Sequence, residues 1–457
     1  MRKLLLFVFC LPIIAQAQVN QDSINIKKMV DEIMTNGKAY DLLRELTKKI
    51  GGRLAGSPQQ QNAALWGKRN LEALQPDKVF MQPCKTPHWE RGGKDFAAIV
   101  NVNGKAQNEP LAALALGNSL GSNGLVEAEL LAVANFDELE KRKDEVKGKI
   151  VYYHSVFNPT RIQTFIAYGE SGIYRGAGAS RAAKYGAVGV MIHSLSTAPD
   201  NAPHTGAMRY DESLPKIPAV ALGPNDAKAL WEAAKNSKIR VQMQTYGSFL
   251  PDADENNVVA ELKGSEFPDE IITIGGHLDS WDVNEGAHDD GAGIVQTMEV
   301  LRAMKASNYV PKHTIHFVLF ANEENGGKGG AKYAELAKLN KEKHIFALES
   351  DEGGFTPRSI GITSSPDQFK RFQTWSSFLK PYGTEVTSGG GGADIGPLKT
   401  VDKNIVLSGL VPDSQRYFDL HHAKTDVFEN VNKRELLLGA ANIAAIIYLV
   451  DQYGVNP

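Results

Sequence analysis

From residue 271 onward the chain alternates strand-like apolar runs with longer helix-like stretches, and that order constrains the fold more than any other feature. Strands are expected at 271–276, 314–321, 344–350 and 404–410, and helices at 290–306, 328–341, 366–380 and 433–450. This alternation implies an α/β fold, a mixed, mostly parallel sheet sandwiched by helices. Ligands of such sheets bind beyond the carboxyl ends of the strands. The charge of this sequence is concentrated at those positions.

GGHLD (275–279) and HDDG (288–291) follow the first strand, NEE (322–324) the second and ESDE (349–352) the third, while His421 and His422 come after the fourth. Taken singly, each element has an ordinary explanation. A lone histidine is usually structural, and a pair of acids suits a helix N-terminus. Together, on one edge of a sheet, so many carboxylates would repel each other unless a cation sat among them. Carboxylates and imidazoles without thiolates suit a divalent metal such as zinc, and more than three ligands suggest two ions sharing a carboxylate. There is no HExxH segment, which excludes the helix-borne type of zinc peptidase site. His313 and His316 lie away from the carboxyl end of their strand and are read as structural.

Earlier in the chain, residues 57–74 read as a helix with Ser57 as N-cap and Pro58 at the first helical position, and 94–105 as a strand ending in a turn. Between about 117 and 248 short apolar strands are joined by Gly, Pro and Ser, with one helix expected at 179–184; this marks a smaller, β-rich domain inserted into the main one. The strand at 256–264 then resumes the first sheet. The expected division is 18–116 with 249–457 for the main domain and 117–248 for the insert.

MRKLLLFVFCLPIIAQAQ combines Arg2 and Lys3, an apolar run from Leu4 to Ile14 and a small-x-small site at Ala15-Gln16-Ala17, which reads as a signal peptide over 1–17 and a secreted or periplasmic mature chain. No later segment reads as long and apolar enough to span a membrane. Removal of Cys10 with the leader leaves Cys84 alone, without a disulfide partner or a nearby base that would make it a nucleophile. Lys and Arg total 50 against 53 acids in 457 residues, so charge points neither to nucleic acid nor to an anionic membrane as a partner.

HLDSW…GAHDDGAG, NEENGGKG, ESDEG and HHAKTD resemble the motifs of the two-zinc exopeptidase family that includes bacterial leucine aminopeptidases and glutamate carboxypeptidases. The resemblance covers nearly the whole mature chain, and its insert, with KGKIV, YGAVGVMI and IPAVAL, looks like a protease-associated domain. It implies two zinc ions, with His277 and Asp351 on one, Glu324 and His422 on the other and Asp289 bridging. It implies Asp279 as the group that orients the His277 imidazole. Glu323 would be the general base for a water activated between the metals, acting on dipeptides or short peptides. His422 is preferred to His421 because it lies four residues before Asp426. Related proteins suggest a homodimer. The glycine run Gly390, Gly391 and Gly392 would let a substrate approach the backbone closely, and no cluster of arginines suited to an acidic side chain stands out. Two other readings of the same scaffold are a catalytically inactive receptor or binding protein, and a glutaminyl cyclase using one metal.

Overall fold

The computed structural model describes residues 10–456; the first nine residues of the expected signal peptide lie outside the described residues. A helix at Cys10–Asn36 runs through the expected cleavage point.

The main sheet has eight strands. In spatial order they are Lys78–Glu90, Ser248–Leu262, His313–Phe320, Phe267–His277, Lys343–Glu349, Val406–Pro412, Pro357–Thr363 and Glu385–Ser388. The strands His313–Phe320, Phe267–His277, Lys343–Glu349 and Val406–Pro412 are mutually parallel, so their carboxyl ends share one edge. They are apolar almost throughout because both faces are covered. One face packs on the helices at Cys10–Asn36, Ala292–Ala306 and Lys433–Tyr453, and the other on Lys328–Asn340 and the turn Gly396–Thr400. The helix expected at 57–74 spans Pro58–Ala73, and the Ser57 hydroxyl accepts the amide of Gln60.

Lys433–Tyr453 corrects one expectation. Its length and mean hydropathy of 1.5 would suit a membrane span, but 83% of that window is buried within the protein.

A second sheet, also of eight strands, carries the insert. It includes Phe96–Val102, Lys105–Leu111 and Ala113–Ala115. The strand read at 94–105 therefore pairs with Ile239–Gln244 of the second sheet rather than with the main sheet. Its strands Val126–Val133, Ile150–Tyr153, Gly189–His193 and Ala219–Leu222 run parallel. Helices Thr164–Ala183 and Pro224–Ala234 accompany them. The helix expected at 179–184 is thus 20 residues long. Gly169, Gly172, Gly176 and Gly178 disguise it, since glycine within a helix normally signals a loop.

Candidate metal centre and cleft

The parallel edge gathers the predicted acids and imidazoles. His277 ends its strand; Glu323 and Glu324 follow the strand ending at Phe320; Asp351 follows the one ending at Glu349; His421 and His422 follow the short helix Tyr417–Leu420. Asp289 lies just before the helix Ala292–Ala306.

Asp289 is the centre of the cluster. Its Oδ1 lies 3.2 Å from His277 Nε2, which is also 3.2 Å from Asp351 Oδ1. Its Oδ2 lies 3.1 Å from His422 Nε2, which is 3.1 Å from Glu324 Oε2. One carboxylate therefore belongs to two groups of donor atoms. Among the described residues, the buried Asp289 Oδ2 and Glu324 Oε1 have no hydrogen-bond partner. Buried orphan oxygens beside aimed imidazole nitrogens fit a site built to hold divalent cations.

Two further side chains come near and share in donor groups that could hold a metal. Asp290 accepts the main-chain amides of His277 and Gly293. The His421 ring stacks on His422 at 3.5 Å between centroids, and its Nε2 stays 3.6 Å from Asp289.

Asp279 differs from expectation. The nearest partner of His277 Nδ1 is the main-chain oxygen of Asp279, at 3.0 Å, whereas its carboxylate is 3.6 Å away. That carboxylate instead accepts the amides of Glu323 and Glu324, at 2.9 and 3.2 Å. Asp279 thus fixes the turn that presents both glutamates. Asp426 does the same for the bridge, accepting the amides of His288 and Asp289 at 2.7 and 3.1 Å.

Electrostatics match a cation-holding site. Burial, then the charge of Asp289, raises Glu324 to about 7. Burial, then Asp351, raises Glu349 to about 8. Burial holds Glu323 well above the usual carboxylate range, with Asp351 and Glu324 adding to it against the pull of His277. Burial opposes a charge on His277, but Asp351, Asp279 and Asp289 together outweigh it and push its pKa up. The fully buried Arg53, which the sequence does not reveal, gives its guanidinium to the carbonyls of Leu278, Glu285 and Gly286 rather than to any carboxylate.

A cleft of ≈ 1480 Å³ opens between the two sheets, with Glu323 and Glu324 on one wall and Arg175, Arg181, Lys184 and Arg209 of the insert on the other. These arginines are scattered in sequence, and only the fold assembles them. Arg175 approaches the metal centre: a β-carbon on Gly206 would meet both its guanidinium and the His422 ring. Its Nη2 donates to Tyr168 at 2.6 Å, while Nε and Nη1 are buried without a partner.

The glycine run does not line that cleft. Gly390 packs on Gly361 with φ of +105°, and a β-carbon at Gly392 would fall inside the Glu349 carboxyl group. His313 is held by Asp451 and His316 by Tyr333 and Glu261, as structural residues. The buried Cys84 thiol is pushed up to about 12 by burial, which leaves it unreactive.

Residues 257–447 match the peptidase family M28 model. Over 434 residues the chain is 34% identical to carboxypeptidase Q of Homo sapiens, covering 93% of this chain and 89% of the relative. The chain belongs to peptidase family M28. Among solved structures, the peptidase M28 precursor from Shewanella amazonensis superposes with a TM-score of 0.89 at 30% identity, covering 95% of this chain and 99% of that one. A zinc aminopeptidase from Bacillus subtilis shares the fold, with a TM-score of 0.63, 18% identity and coverage of 90% and 94%. Membership of family M28 makes the chain a metallo-exopeptidase, and the groups around Asp289 could hold a metal ion.

Proposed function

We propose that this M28 peptidase uses two divalent metals, zinc first among them, to remove the carboxy-terminal residue from dipeptides or short peptides. His277, Asp351 and Asp289 would hold one ion, and Glu324, His422 and Asp289 the other. The observation that carries this reading is the division of the two Asp289 oxygens between two imidazole-carboxylate pairs. The zinc of the Bacillus subtilis relative's name and the carboxypeptidase of the human one support the same choice. Bound metals would supply Lewis acidity and favour deprotonation of water near neutral pH.

The chain's own residues do the rest. Glu323, at the cleft wall, takes the proton from the attacking water and returns it to the leaving amine. Asp279 keeps Glu323 in place by accepting its amide. Arg175 offers two unpartnered donors beside His422, a match for the free carboxylate of a peptide's last residue. The leader pattern at 1–17 supports export before the enzyme works.

Metal content per chain, with dipeptide hydrolysis measured before and after chelation, tests the proposal. Two metals and chelator-sensitive turnover are expected, while Glu323→Gln should keep both metals and lose turnover. A metal-free chain that only binds ligands would replace it with the receptor reading, and cyclisation of N-terminal glutamine with one metal would replace it with the cyclase reading. Loss of metal in Glu323→Gln would remove the proton-carrier role.

A further inference from the structure

We propose that the insert is a working part of the second metal half-site, in which His204 and Thr205 clamp the His421–His422 turn and set the ring orientation of His422. This rests on the two-metal reading above. Both insert residues are buried, and neither was singled out by the sequence.

Three contacts make the clamp. His204 Nδ1 lies 2.6 Å from the carbonyl oxygen of His421, the Thr205 amide donates to the carbonyl of His422 at 3.0 Å, and His422 Nδ1 lies 3.3 Å from the carbonyl oxygen of Thr205. A carbonyl can only accept, so each ring nitrogen facing one must carry the proton. In the neutral imidazole that a metal ligand must be, this leaves Nε2 of His422 as the unprotonated nitrogen, and Nε2 is the atom directed at Asp289 and Glu324. The partner that fixes a ligand's tautomer governs its basicity and its aim. For His277 that partner comes from its own loop, Asp279. For His422 it comes from the other structural unit.

Backbone conformation supports the same dependence. His422 has φ of +62°, a left-handed conformation that a non-glycine residue holds only where its surroundings impose it. The surroundings here are the clamp and the Trp281 ring, 5.7 Å from the imidazole. The clamp is itself anchored, since the His204 amide donates to Ser194 Oγ at 2.9 Å and the Thr205 hydroxyl to the carbonyl of Ala115 at 2.9 Å. The two half-sites are therefore unequal: one is built within the main unit, and the other depends on docking of the insert. His204 is a positioning residue, because it acts on the metal only through His422.

The test is a zinc titration of the full-length protein against a competing chromogenic chelator. The parent should show two sites. His204→Ala should weaken one of them by about 10- to 100-fold and leave the other unchanged. His204→Asn, whose amide can donate to the same carbonyl, should recover most of the loss. Ser194→Ala, a milder change that removes the acceptor of the His204 amide, should weaken the same site to a smaller degree and keeps the test open where alanine at 204 does not fold. Unchanged affinities at both sites in His204→Ala, or in Ser194→Ala where that variant stands in, would overturn the clamp alone. A parent that binds no zinc would remove the two-metal reading beneath it.

Discussion

Glu349→Gln should stabilise the metal-free protein, and more so as pH rises. Glu349 is buried, accepts the amides of Asp394 and Ile395 at 3.0 and 2.9 Å with Oε2, and leaves Oε1 without a partner. Its folded pKa, about 8, lies above the ordinary value of 4.5 because burial and then Asp351 disfavour its charge. The unfolded chain gives up this proton first, so between those values the native state binds more protons and stability falls with rising pH. Buried histidines work the other way. Burial lowers His154, His204 and His288 to about 4, which makes them destabilising only below their ordinary value of 6.5. From pH 7 to pH 8 these three histidines contribute nothing, and other buried carboxylates such as Glu324 and Glu352 titrate alike in parent and variant, so the difference between the two proteins isolates Glu349. The unfolded state costs about 1.4 kcal/mol per pH unit there, and partial titration of the native group reduces the net loss from Glu349 to about 1 kcal/mol. Glutamine keeps an oxygen for both amides and cannot ionise. Thermal or denaturant unfolding of chelated parent and variant at pH 7 and 8 is the assay, with the gap expected to widen by about 1 kcal/mol. A constant or narrowing gap would refute the argument.

Arg175→Ala should raise KM for dipeptides with a free carboxylate by about 10- to 100-fold, the scale of losing a charge-assisted hydrogen bond, and should leave turnover of carboxy-amidated analogues unchanged; steady-state kinetics on the matched pair decides. Gly392→Ala should destabilise the fold by about 1–3 kcal/mol through overpacking against Glu349, read as a lower unfolding midpoint, because no space exists for a β-carbon there.

The parallel strands and their helices were legible because each is a long apolar run bounded by turn residues, and the expected strand at 314–321 is found at His313–Phe320. The site was legible for a related reason: charge that follows a buried strand has one edge on which to collect. His277, Asp289, Glu324, Asp351 and His422 do collect there. Groups that act across the two units were not legible. Arg175 lies on a helix masked by glycines, and His204 lies in an irregular stretch; nothing in their spacing relates either to position 422. Arg53 sits in a Gly-rich turn and contacts only carbonyls, which leave no pattern in side-chain chemistry. The sheet to which Phe96–Val102 belongs was not legible, because its alternation suits either sheet and only its pairing with Ile239–Gln244 decides.

In the proposed two-metal site, the shared Asp289 carboxylate would tie the fates of both half-sites together. A planar group cannot swing one oxygen without swinging the other, so any substitution that retunes one side is felt as a rotation on the opposite side. Selection for a different metal or substrate at either position would thus have to move through paired changes, and laboratory variants altered at a single ligand should behave as disturbed pairs rather than as simple one-metal enzymes.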